Sequence, residues 1–185
     1  MEDKVPSLYV GACRSAQPLG DRMALGIPNV PDAEVEGFAC AMGRAIHHYG
    51  VIEHSINELL SLLIGDKSSV RNLLQLRVAK RLESLELLIA KKENLIRDRG
   101  WEVGDLLSLT KAAFRERNKI AHNPFYVRVD RETGEMDMGI LVVRHHEDPD
   151  DEEWINRSKL DKLIAESRDI FNRFGRLREL CQAVA

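Results

Sequence analysis

Only three cysteines, Cys13, Cys40 and Cys181, are spread over the 185 residues. An odd number this far apart excludes a disulfide framework and fits reduced thiols, so a cytoplasmic location is expected. Long hydrophobic runs are missing too: Leu59-Leu60 is interrupted by Ser61 before Leu62-Leu63-Ile64. Nothing approaches the ~20 apolar residues of a bilayer span, so no membrane association is expected. Met1-Glu2-Asp3-Lys4 has neither the basic opening nor the apolar stretch of an export leader, and none is expected. Aromatics are scarce at 5%, and neither sign of charge dominates, with 27 Lys and Arg against 30 Asp and Glu. That balance argues against a surface adhesive to nucleic acid everywhere, but leaves room for a local basic site. A phosphate-binding glycine loop, a GxGxxG turn, zinc-ligand spacing and a GxSxG elbow are all absent.

What is present is an ordinary globular mix, 44% apolar and 31% charged, long enough for one full core. Residues 1–31 hold four of the six prolines (Pro6, Pro18, Pro28, Pro31) with Gly11, Gly20 and Gly26 between them, which reads as an irregular arm. Residues 32–185 read as one helical domain. Phe38, Met42, Ala45, Tyr49, Ile52, Ile56, Leu59 and Leu63 recur at steps of three and four, predicting a helix from an Asp32 N-cap to a stop at Gly65-Asp66. A second helix is predicted from Ser68 to Asp98, ended by Gly100, with Val70, Leu73, Leu74, Val78, Leu82, Leu85 and Ile89 inward. A third runs from Asp105 to His122 or Asn123, because Pro124 turns the residue before it away from helical geometry.

The period then drops to two. Phe125–Val129 and Met136–Val143 flank Arg131-Glu132-Thr133-Gly134, the pattern of a β-hairpin. His145–Glu153, with six carboxylates, reads as an acidic loop. A final helix is predicted from Ser158 to Gln182, capped by Ser158 with Asp161, with Leu160, Leu163, Ile164, Ile170, Phe171, Phe174, Leu177 and Cys181 inward. The predicted fold is therefore all-α: an antiparallel four-helix bundle with a β-hairpin inserted before the last helix.

Two histidine doublets raise the question of metal. His47 and His48 diverge by about 100° on a helix and cannot readily share one ion. His145-His146 lies among carboxylates and reads as part of a solvated loop, so no metal is expected. More informative is Arg117-Asn118-Lys119-Ile120-Ala121-His122. Arg117 lies near Ala113, Phe114, Ile120 and Ala121 on its helix, where an unpaired guanidinium is costly. It calls for an anion: Glu53, another carboxylate or a ligand phosphate. Asn118 and His122 are four apart and share a face. Arg117 and His122 are about 140° apart, so one ideal helix does not aim both at one atom. The negative end of the helix dipole beside His122 suits a proton-transfer role. An equally complete account has Arg117 paired with a buried acid, His122 capping a terminal carbonyl and Asn118 satisfying backbone at the hairpin.

The R-N-x-x-x-H form of residues 117–122, with Tyr49-Gly50-Val51-Ile52-Glu53 and Leu59-Leu60 upstream, resembles the HEPN superfamily of higher eukaryote and prokaryote nucleotide-binding helical domains. The likeness covers about residues 32–182. It implies a homodimer whose two motifs face one another, and metal-independent, cofactor-free RNA cleavage with Arg117 and His122 as the catalytic pair. Asn118, Lys119 and Glu53 become substrate-positioning residues. It also implies a toxin or phage-defence setting, with an antitoxin protein as partner. The alternative is a non-catalytic module of the same type that binds nucleotide, RNA or a protein partner. Some related toxins carry a tyrosine two residues after the histidine; Pro124 stands there in this chain. The segment 67–99 has nine basic residues against four acidic, while 32–66 has one against six, so the basic stretch reads either as a guide for phosphates or as a solvated face.

Overall fold

The computed structural model describes residues 8–11, 30–91, 100–129, 133, 135–143 and 152–183. The chain is mostly helical with a small antiparallel sheet. In order, its elements are β1 (Leu8–Gly11), α1 (Asp32–Ile64), α2 (Lys67–Leu74), α3 (Val78–Lys91), α4 (Gly100–His122), β2 (Phe125–Val129), β3 (Met136–Val143), β4 (Glu152–Asn156) and α5 (Arg157–Gln182). Contacts group these into two compact units, residues 1–43 with 119–161 and residues 44–118 with 162–185. No helix among the described residues is long and apolar enough to cross a membrane.

The second unit is helical. Tyr49, Ile52, Ile56, Leu59 and Leu60 of α1 are buried there, as are Leu82 and Leu85 of α3, Leu107 of α4 and Phe174 of α5. The predicted apolar spacing thus faces inward, with exceptions: Phe171 and Leu74 are exposed. Ion pairs of 2.9 Å brace neighbouring helices at the surface, Arg178 with Glu58, Arg173 with Asp105 and Lys111 with Glu86. Such exposed pairs contribute well under about 1 kcal/mol each. The α1 stop is as expected. Gly65 has φ 72°, and its amide donates to the Ser61 carbonyl at 3.1 Å. Asp66 then caps α2, accepting from the Ser69 amide at 2.8 Å and the Ser68 hydroxyl at 2.7 Å. Those bonds, from Ser69 first and Ser68 after it, hold its carboxyl well below the usual range.

The predicted second helix is two helices. α2 ends at Leu74, the Leu76 amide makes a tight turn to the Leu73 carbonyl at 3.0 Å, and α3 restarts with the Lys80 amide bonding the Arg77 carbonyl at 2.9 Å. None of the α2 residues is buried. The apolar steps 74, 78 and 82 pass through this break without slipping, which is why spacing alone does not reveal it. Residues 92–99, where that helix was expected to finish, lie outside the described residues, and Gly100 opens α4 instead of ending the helix before it.

In the first unit the hairpin forms in the expected place, with Phe125 opposite Ile140 and Val129 opposite Met136. It is the centre of a larger sheet, ordered β1-β2-β3-β4 and antiparallel throughout. The arm, 1–31, therefore contributes a strand, and the last two residues of the stretch expected to be acidic loop, Glu152 and Glu153, begin β4. Most of that loop (145–151, including His145-His146), most of the arm and Arg131-Glu132 lie outside the described residues. One face of the sheet supplies Val127, Ile140, Val142 and Ile155 to the core. Phe38 of α1 meets Phe125 on that side, ring centroids 5.8 Å apart. Arg157 donates to the Gly37 carbonyl at 2.8 Å and pairs with Asp161 at 3.0 Å. The cap of α5 is Asn156, whose side-chain oxygen accepts from the Lys159 amide at 3.1 Å, rather than Ser158.

Candidate functional site

α4 ends at His122, as Pro124 requires, and the final turn is closed by Asn123, whose amide nitrogen donates to the Lys119 carbonyl at 2.8 Å. The C-terminal cap is therefore Asn123 and not His122. The imidazole of His122 is left exposed at the helix end. Ala121, expected inward, is exposed as well, while Ile120 is buried. Since α4 is unbroken from residue 100 to residue 122, the 140° divergence of Arg117 and His122 stands within one chain.

Arg117 is half-buried, and its one hydrogen bond among the described residues is a loose one, 3.2 Å from Nη1 to the Asn118 side-chain oxygen. Glu53, the expected partner or positioning carboxylate, is engaged elsewhere. It forms an ion pair with Arg81 of α3, whose other terminal nitrogen donates to the Asn57 side chain at 2.6 Å. Glu53 and Asn57 are one helical turn apart on α1, so together they form a fork that fits a guanidinium. Arg81 is 6% exposed, a buried cation held by that fork. The structure does not bring Glu53 to the motif.

Lys119 is also committed. Its ammonium lies 2.7 Å from Glu153 of β4, both side chains about one-fifth exposed, and Lys159 of α5 pairs with the other oxygen of the same carboxylate. Lys119 thus fastens the last turn of α4 to β4 and does not present a free cation for substrate positioning. Asn118 is exposed and orients Arg117. Among the described residues no carboxylate pairs with the Arg117 guanidinium.

Other titratable groups form a separate cluster on α1. Burial lowers the His48 pKa below 6.5, with Arg168 and His47 adding to the effect. Its ring lies edge-on to His47, centroids 6.0 Å apart. Burial pushes the Tyr49 phenol up to about 12, aided by Glu116 and Glu166 and opposed by the Ser167 hydroxyl. Among the described residues no three His, Cys, Asp or Glu side chains gather as a metal site would need. Two open grooves lie elsewhere: one of about 590 Å³ lined by Ser61, Gly65, Val70, Arg71 and Leu74, another of about 490 Å³ lined by His54, Asn57, Glu58 and Arg178. No motif residue lines either.

Sequence reasoning missed Trp154. It belongs to β4, and its ring covers Gly139 of β3 so closely that a Cβ there would lie 2.4 Å from the indole. The indole N–H donates to Asp137 at 2.6 Å, and Arg128 lies over the ring, 5.1 Å from its centroid, while pairing with Asp137 at 3.3 Å. The signal available was the nearly continuous apolar run 139–143 of β3, which marks a strand flanked on both sides and so asks for a further strand beyond the hairpin. Compared with protein-family models, with curated proteins and with solved structures, the chain matches none.

Proposed function

We propose that the chain is a metal-independent endoribonuclease of HEPN type, its helices forming the bundle of that family and its active form a homodimer. The reading takes its setting, a toxin or phage-defence component with an antitoxin partner, from the same resemblance. The observation that carries it is the state of Arg117: a half-buried guanidinium with no carboxylate partner among the described residues, five residues before an exposed histidine at the end of the same helix. A phosphate is the anion that would meet it.

The chemistry is attack of a ribose 2′-oxygen on the adjacent phosphorus. The new O2′–P bond forms as the P–O5′ bond breaks, leaving a 2′,3′-cyclic phosphate and a 5′-hydroxyl. His122 accepts the 2′-hydroxyl proton, and the second copy's equivalent imidazolium returns one to the departing oxygen. Arg117 holds the charge that develops on the non-bridging oxygens. The divergence of the two side chains on one helix is the reason to require two facing motifs.

Labelled RNA incubated with the purified protein in EDTA tests the reading. Cleavage should survive the chelator and fall by about 10²–10⁴-fold in His122→Ala and Arg117→Ala proteins that keep their helical circular dichroism. Intact RNA with wild-type dimer, alongside a saturable binding curve, would assign the chain instead to the non-catalytic binding modules.

A further inference from the structure

The two open grooves of the helical unit form one trough, since Ser61 of α1 and Leu74 of α2 line both. Its α1 wall is a single stripe of His54, Asn57, Glu58, Ser61, Leu62 and Gly65. That stripe covers three turns, about 16 Å at 1.5 Å per residue. Lys67, Val70, Arg71 and Leu74 of α2, again three and four apart, form the wall at one end. Arg178 and Gln182 of α5 line the other.

α2 gains little from its own unit. Isolated helices shorter than about 12–15 residues are marginal in water, and those in proteins owe their stability to a packed apolar face. α2 has eight residues, none of them buried. Leu74 is 38% exposed, and Val70 and Leu62 are only part-buried. The apolar side that would hold this helix faces the trough.

Charge divides the trough. At the α5 end Glu58 is answered by Arg178 at 2.9 Å and by His54 at 3.8 Å, so that end is neutralised from within. At the α2 end the charged lining residues are Lys67 and Arg71, both exposed, and no carboxylate lines that groove among the described residues. Asp66, next in sequence, is committed as the α2 cap to the Ser69 amide and the Ser68 hydroxyl. The complementary occupant is apolar along one side and negative at one end. A three-turn open trough fits a helix laid lengthwise, the mode in which residues i, i+3, i+4 and i+7 enter a groove. A small molecule would stay largely in solvent here, whereas its usual pockets enclose most of its surface. A nucleic-acid strand would bring the charge, but its bases stack on rings, and the α2 end offers the aliphatic Val70 and Leu74.

We propose that this trough docks an acidic amphipathic helix of a partner protein, with apolar side chains against Leu62, Val70 and Leu74 and carboxylates at Lys67 and Arg71. No residue of 117–122 lines it, and the proposal does not depend on the nuclease chemistry.

Random peptides displayed on phage and selected against the full chain test it, the consensus then being synthesised with a fluorescent label. The consensus should carry large apolar residues at i, i+3 or i+4, and i+7, with Asp or Glu gathered at one end. By fluorescence anisotropy, Leu74→Asp should weaken binding of that peptide at least about tenfold. Lys67→Glu with Arg71→Glu should weaken it about tenfold at low salt and less at high salt. All three positions are exposed, so these variants should keep the wild-type circular dichroism. A second peptide, with lysines in place of its acidic residues, should regain binding to the doubly reversed protein, which no folding defect could produce. No consensus, a consensus without acidic residues, unchanged affinity in Leu74→Asp, or no recovery in the charge-exchanged pair overturns the proposal. So does an oligouridylate that displaces the peptide, is lost on charge reversal and is indifferent to Leu74→Asp, which would assign the α2 end to nucleic acid.

Discussion

Arg81 on α3 and Arg117 on α4 both fall on the apolar stripe of a helix, where a bare guanidinium is costly, and the two regions answer that demand differently. Around Arg81 the chain supplies the anion itself: Glu53 and Asn57, one turn apart on α1, close on the side chain until 6% of the residue remains exposed. Around Arg117 the described residues supply only the neighbouring Asn118 side-chain oxygen at 3.2 Å. A buried cation with its counter-ion is a finished structural object. A half-buried one without a carboxylate among the described residues is the one we propose receives a phosphate. Spacing along the chain cannot distinguish them, since it tells which cations fall on a stripe but not which one the nearest carboxylate will reach.

The largest effects expected cross over between these regions. Arg117→Gln should lower RNA cleavage by about 10²–10³-fold while leaving the melting temperature nearly unchanged. Glu53→Ala should leave cleavage per folded molecule intact and lower unfolding free energy by about 3 kcal/mol, because it strands the Arg81 charge in the core. Urea titration and the EDTA cleavage assay on both proteins decide this; a Glu53→Ala protein that is stable and inactive would erase the distinction. Replacing the pair together, Glu53→Leu with Arg81→Met, should recover most of the lost stability.

A smaller effect concerns the buried phenol of the helical unit. Tyr49 is 1% exposed, and its folded pKa of about 12 lies above its ordinary 10.0. A raised folded pKa gives stability that is complete below pH 10 and is lost as pH rises from 10 toward 12. Wild-type protein should therefore lose stability over that window, and Tyr49→Phe should lose less, by thermal melts at stepped alkaline pH. Equal slopes for the two proteins would show that the phenol is reached by solvent. Smallest is Gly65→Ala. No atom lies within 4 Å of the added methyl, so the cost is that of φ 72° alone, about 1 kcal/mol by urea titration.

Much of the helical unit could be read from the chain, because three- and four-residue steps such as 49, 52, 56 and 59 report burial directly. The hairpin was legible for the same reason at period two. What escaped reading has a common root. β4 begins Glu152-Glu153, which looks like the end of an acidic loop, and becomes a strand only because β3 offers it an edge. With β4 unseen, Glu153 could not be recognised as the partner of Lys119, nor Trp154 as part of a surface. The site fared likewise: the helix end at His122 was legible, whereas Lys119 and Glu53 are drawn away by carboxylate and guanidinium partners far off in sequence. Local pattern finds the helix end; only packing decides which of its charges stay available.

The contact between Gly139 and Trp154 also binds two positions into a single inherited unit. A methyl at 139 has no room while the indole lies there, with 2.4 Å between them. Among descendants of this chain, any that retain the tryptophan are obliged to retain the glycine. One that trades the tryptophan for a small residue releases its partner to drift, so a side chain at 139 should appear only where the tryptophan has gone.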